Sequence, residues 1–218
     1  MLNLRPVEKQ TGLEWLPWAR FNLHRNPFGE LSSEERSELA VVEVDDWLEM
    51  LRKPMCAVQF IGACGRGKTT RMLKLRSRLP ESSYTYIPED PPCPPIELGN
   101  PVLIDEAQRL PRAARRRVFT SGCSLVIATH RNLERVLRKH GYRVITEHVG
   151  AGNGPHLVLE SLNRRIEASR LGKGPVPTLS LCDAKALVKE FGSDIRSMEN
   201  KLYVLFQECL EVGKDGKV

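Results

Sequence analysis

An apolar run, Cys56-Ala57-Val58-Gln59-Phe60-Ile61, passes directly into Gly62-Ala63-Cys64-Gly65-Arg66-Gly67-Lys68-Thr69. This spacing leaves little choice of local fold. The pattern G-x-x-x-x-G-K-[ST] works only between a buried strand and a helix. Its glycines let backbone N–H groups close around phosphate oxygens, its lysine reaches the β/γ-phosphates, and its hydroxyl ligates Mg²⁺. A helix is predicted over 69–78, with its positive N-terminus turned to the same anion. Gly62, Ala63, Cys64, Gly65, Arg66, Gly67, Lys68, Thr69 and Thr70 are therefore the candidate nucleotide-binding residues, and a nucleoside triphosphate is the expected ligand.

The chain has 218 residues, enough for one sizeable domain and a small one. No apolar run is long enough to cross a bilayer, and the N-terminus lacks a basic-then-apolar signal. The cysteines are scattered, without a C-x-x-C pair or metal-ligand spacing, which fits reduced thiols and a cytoplasmic location. A net charge of +6 leans towards an anionic partner, nucleic acid before membrane.

Along the chain, Trp15, Trp18, Phe21 and Phe28 form an aromatic cluster around Asn26-Pro27-Phe28 in an irregular N-terminal segment. Ala40, Val44, Trp47, Leu48 and Leu51 recur at helical spacing up to Pro54. Tyr84 to Ile87 reads as a strand, followed by a loop rich in proline, Pro91-Pro92-Cys93-Pro94-Pro95. Pro101 to Glu106 and Ser124 to His130 read as buried strands. Each is followed by a basic helix, the first with Leu110, Ala114 and Val118 inward and the second over 131–140. Residues 144–159 read as strand material broken by Gly150-Ala151-Gly152-Asn153-Gly154, and 161–170 as a helix. In the tail, Ser180 with Asp183 makes a capping box ahead of Ala184, Leu187, Val188 and Phe191. A longer helix then carries Ile195, Met198, Leu202, Leu205 and Cys209 on one face. The expected organisation is an N-terminal extension packing on the core (1–30), an α/β core (31–171) and a small helical domain (172–218).

The second chemical signal is Asp105-Glu106, at the end of the strand Val102-Leu103-Ile104. Strand ends on one edge of an open α/β sheet gather at the ligand. One carboxylate then completes the Mg²⁺ shell while the other polarises water, which argues for hydrolysis. Thr129 and His130 end the next strand and are expected in the same crevice. Arg109, Arg112, Arg115 and Arg116, and then Arg131, Arg135 and Arg138 with Lys139 and Arg143, make two basic faces. Two readings fit them: a solvated surface, or contacts to phosphates of a nucleic acid or a neighbouring subunit's nucleotide.

Together these motifs resemble the AAA+ ATPases, in the branch holding transposition-regulator ATPases, general-secretion ATPase A proteins and origin-recognition ATPases. The resemblance spans about residues 20–210. It also draws on Asn26-Pro27-Phe28, Leu103-Ile104-Asp105-Glu106-Ala107, residues 157–171 and Phe191-Gly192-Ser193-Asp194-Ile195-Arg196. It implies an α/β P-loop NTPase fold with a parallel sheet of order 5-1-4-3-2 flanked by helices, and a C-terminal helical lid. By the resemblance, Lys68 and Thr69 hold phosphate and Mg²⁺, Asp105 completes the metal shell, and Glu106 is the general base. Thr129 would be sensor 1, Arg196 the sensor 2 arginine, and Asn26 to Phe28 would lie by the adenine. Arg135, Arg138 or Arg143 would act in trans in an ATP-dependent homo-oligomer. The implied activity is ATP hydrolysis with DNA or a DNA-bound partner, in transposition or target selection. Two alternatives stand beside it: a nucleotide-dependent protein-binding switch with little hydrolysis, and a small-metabolite kinase. The chain departs from the family in the short, proline-rich stretch between Thr70 and the acidic strand, and in the short stretch from Glu106 to Thr129.

Overall fold

A computed structural model describes residues 16–212; Trp15 lies outside the described residues. The chain divides into two compact units, a continuous one over Ser33–Ala151 and a discontinuous one made of the residues up to Ser32 and those from Gly152 on.

The continuous unit is α/β. Two short helices, α1 (Ser33–Glu38) and α2 (Asp45–Leu51), lead into β1 (Cys56–Ile61), and α3 (Lys68–Arg76) follows the glycine loop. Then come β2 (Ser83–Tyr86), β3 (Val102–Asp105), a 3₁₀ turn at Ala107–Arg109, α4 (Arg112–Phe119), β4 (Leu125–Thr129), α5 (Glu134–Lys139) and β5 (Arg143–His148). The strands form one five-stranded sheet of order β2-β3-β4-β1-β5, the expected 5-1-4-3-2 read from its other edge. Every pairing is parallel. Parallel strands need crossover connections, which carry helices to both faces.

Alternation along the strands divides the core accordingly. Ala57, Ile104, Leu125 and Ile127 pack with Leu110, Val118, Phe119, Leu133 and Leu137 on one face. Val58, Phe60, Leu103, Val126 and Ala128 meet Met72, Leu75, Leu48 and Leu51 on the other.

One polar side chain interrupts this pattern. Gln59 is fully buried in β1, where the sequence reads as apolar. Its amide nitrogen donates to Asn132 Oδ1 (3.1 Å) and Thr146 Oγ1 (3.0 Å), and its oxygen accepts from Leu133 N (2.6 Å). The side chain thus ties β1 to β5 and to the start of α5. Replacing it with leucine strands a buried backbone N–H, so Gln59→Leu is expected to cost about 2–3 kcal/mol in denaturant unfolding. A loss below about 0.5 kcal/mol, the range of an ordinary surface change, would contradict this role.

The structure differs from the sequence expectations at several places. The helix expected up to Pro54 is split, because Val41, Val42 and Val44 fall between α1 and α2, where β-branched side chains are poor helix formers. The basic helix after Glu106 begins only at Arg112, which puts Arg109 on a separate turn. The strand expected over 144–159 ends at His148, and Pro155 opens a helix, α6 (Pro155–Ala168), as proline favours the first helical turn.

That helix belongs with the discontinuous unit rather than with the expected core. Its Val158, Leu162 and Ile166 pack with Phe21, Phe28 and Leu179, and with residues of α7 (Leu181–Phe191) and α8 (Ile195–Val212). The Ser180–Asp183 capping box is formed as expected. Met198, Leu202 and Phe206 are fully buried on α8; Phe206 is absent from the predicted face. Phe28 is buried against Phe206, edge to face at 5.3 Å, and Asn26 donates to Tyr203 O (3.1 Å). No described helix is long and apolar enough to cross a membrane.

Candidate active site

The glycine loop and the acidic strand meet at the carboxyl edge of the sheet. Gly65 (φ 74°) and Gly67 (φ 94°) adopt left-handed backbone that other residues reach only under strain. At Gly62 the constraint is space, since a Cβ there would stand 2.6 Å from the Val149 carbonyl oxygen. The Lys68 ammonium is buried and donates to the loop's own carbonyls, Gly62 O at 2.9 Å and Ala63 O at 3.0 Å. Arg71, one turn on in α3, donates to Gly67 O (3.3 Å); burial lowers its pKa, and the Glu147 charge opposes that.

β4 lies between β1 and β3, so the loop and the acidic pair flank one strand. Across it, Thr69 Oγ1 donates to Asp105 Oδ2 at 2.7 Å. Asp105 is buried, and its Oδ1 accepts from the Glu106 amide at 3.0 Å. The Tyr84 hydroxyl of β2 also reaches Oδ2, at 3.3 Å; burial first, then the Asp105 charge, pushes its pKa up, so the neutral phenol donates. Mg²⁺ prefers oxygen ligands and usually takes only one or two from protein, the rest being phosphate and water. The converging hydroxyl and carboxylate suit that ion. No group of three or more His, Cys, Asp or Glu side chains fit to hold a metal occurs among the described residues.

Glu106 sits at φ 59°, an uncommon conformation for a non-glycine residue that costs on the order of 1 kcal/mol. Its side chain is only 13% exposed, and its Oε2 is held from several sides. Gln108 Nε2 donates to it at 2.6 Å, His130 Nε2 stands 3.4 Å away, and Arg109 Nη2 stands 3.7 Å away. Arg109 also donates to Tyr86, to Ile87 O and to Glu89. It is therefore part of this constellation, not of the open basic face the sequence suggested.

Thr129 ends β4 beside the loop, with Gly62 N donating to its carbonyl, but its buried hydroxyl is turned elsewhere. That hydroxyl donates to Arg131 O and accepts from Arg131 N, both at 3.0 Å. His130 reaches the site instead, with Cys64 Sγ 3.8 Å from its ring nitrogen. Arg196 is exposed in the first turn of α8 and belongs to the other unit. Arg135, Arg138 and Arg143 are exposed; Arg138 is paired with Glu134 at 2.8 Å. Arg112 and Arg116 keep an exposed basic face on α4, while Arg117 donates to Ile96 O.

Tyr84 and Gln108 were not foreseen. Tyr84 had a signal, since its strand neighbours the acidic one; Gln108 had none beyond lying two residues past Glu106. No known protein-family model matches the chain, and no curated protein matches it.

Proposed function

We propose that this chain is a magnesium-dependent ATPase of the AAA+ type, with a P-loop NTPase core, that works on DNA or a DNA-bound partner. The observation that carries the reading is the 2.7 Å contact between Thr69 of the glycine loop and Asp105 of the acidic strand, with Glu106 next in sequence. This is the juxtaposition that triphosphate hydrolysis needs: an anion cradle, a hard-cation position and a carboxylate beyond it. The loop amides and Lys68 bind the phosphates, and Asp105 with Thr69 holds the metal position. Bound there, Mg²⁺ would neutralise charge on the β/γ-phosphates. Glu106 takes the proton of the attacking water, and exposed Arg135, Arg138 or Arg143 reaches a neighbouring subunit's nucleotide in a homo-oligomer. ATP as the nucleotide, Arg196 and Thr129 as sensors, and transposition or target selection as the process rest on the resemblance alone.

A second reading, a nucleotide-dependent protein-binding switch with little turnover, draws on the grip on Glu106. A carboxylate already engaged by Gln108, Arg109 and His130 is slow to act as a base.

Steady-state ATP hydrolysis with and without double-stranded DNA, at low and moderate salt, tests the choice. The expected result is turnover stimulated by DNA, with stimulation fading as salt rises because phosphate contacts release counterions. Lys68→Ala should abolish nucleotide binding. ATP binding without a DNA effect would favour the switch, and no ATP binding at all would overturn both readings.

A further inference from the structure

The geometry points to Gln108 as the residue that positions Glu106, linking the end of β4 to the carboxylate; this inference rests on the hydrolytic reading above. The Gln108 amide has a forced orientation. Its nitrogen must face Glu106 Oε2, because a carboxylate only accepts, and its oxygen must face the His130 backbone N–H, which only donates. The two bonds, at 2.6 and 3.2 Å, make one side chain a bridge between Glu106 and the residue that follows Thr129. The Thr129 hydroxyl makes no such link, being engaged in both directions by Arg131.

Gln108, Arg109 and His130 all approach Oε2, and Oε1 has no such partner among the described residues. A glutamate side chain left to itself samples many rotamers, and fixing it opposes roughly 1.5–2 kcal/mol of rotamer entropy. Pinning Oε2 sets the carboxylate plane and leaves Oε1 to take the proton from water. Without the Gln108 bond, the Arg109 guanidinium is the strongest remaining partner and draws the carboxylate towards Glu89, Tyr86 and Ile87 O, the other groups it binds. A displacement of the β4 end would likewise reach Glu106 through Gln108, so the base and the strand end beside the glycine loop move together.

The test is a double-mutant cycle in the full chain, with Gln108→Met, Glu106→Gln and the pair. Methionine keeps the length of glutamine without its hydrogen bonds. Gln108→Met is expected to lower kcat on the order of 10- to 100-fold, the effect of a misplaced catalytic group. The KM for ATP, the Kd for a fluorescent ATP analogue and the Tm should stay near those of the parent chain. In the Glu106→Gln background the same change should alter kcat less than about twofold, because Gln108 acts through Glu106. Equal losses in both backgrounds, an unchanged kcat, or a raised kcat would overturn the positioning role. A parent chain that binds ATP without turning it over would remove the hydrolytic reading and this role with it; an active parent with a silent Gln108→Met removes this role alone.

Discussion

Glu106→Gln is expected to lower ATP turnover by about 10²- to 10⁴-fold, the range for losing a general base, while nucleotide affinity stays close to that of the parent chain. The amide has the same shape and keeps the place of the side chain, but it cannot take a proton from water. Nucleotide affinity should persist because the groups proposed to hold phosphate and metal lie elsewhere. Lys68 and the loop amides are on the other side of β4, and Thr69 contacts Asp105 rather than Glu106. A loss confined to kcat marks an interaction used in the transition state, whereas a rise in KM alone marks lost ground-state binding. Steady-state kinetics together with a direct binding measurement separate the two. Unchanged turnover would leave hydrolysis without its base and return the weight to the binding switch.

The second large effect is on stability and falls in the discontinuous unit. Arg165 on α6 is buried, with its side chain 8% exposed. Its Nη1 meets Glu199 of α8 at 2.6 Å, its Nε donates to Pro27 O at 2.9 Å, and its Nη2 donates to Gly29 O at 2.5 Å. The guanidinium also lies 5.7 Å from the centre of the Phe28 ring. One planar fork therefore joins two helices to the Asn26-Pro27-Phe28 segment. Arg165→Met keeps much of the apolar bulk but strands two backbone carbonyls and a carboxylate. Breaking a buried pair by removing one partner costs about 3–5 kcal/mol. Glu199 is 24% exposed and retains some solvation, so the lower end, about 3 kcal/mol, is expected. For a chain of this size the unfolding temperature should fall by roughly 6–12 °C, at about 2–4 °C per kcal/mol. Arg165→Lys should recover little, because an ammonium cannot fork to all three partners. A fall of less than about 2 °C for Arg165→Met, below what 1 kcal/mol produces, would show the fork to be dispensable.

The site was legible in part. The glycine loop, Asp105-Glu106 and the strand ending at Thr129 are each contiguous runs, so spacing alone names them as candidates. The details around Glu106 were not legible. Gln108 looks like any polar residue on a turn, and Arg109 continues a run of arginines at helical spacing. Pro111 interrupts that run and places Arg109 on the turn with Glu106. Thr129 was named correctly as a strand end, but the direction of a hydroxyl depends on its rotamer and on the turn that follows.

Local sequence determined the strand–loop–helix unit, the acidic strand, the capped tail helix and the continuous apolar runs of a sheet buried on both faces. These rest on glycine conformation, side-chain period and capping, all of which act within a few residues. Tertiary structure alone decided three other things. It buried Gln59 where the pattern called for an apolar side chain, because Leu133, Asn132 and Thr146 come from distant segments to satisfy it. It grouped α6 with the N-terminal aromatic segment and the tail, because the partners of Val158, Leu162 and Ile166 lie on both sides of the continuous unit in the chain. And it brought Gln108, Arg109 and His130 onto one oxygen of Glu106, which no periodicity encodes, since hydrogen bonds between elements depend on where the elements finally pack.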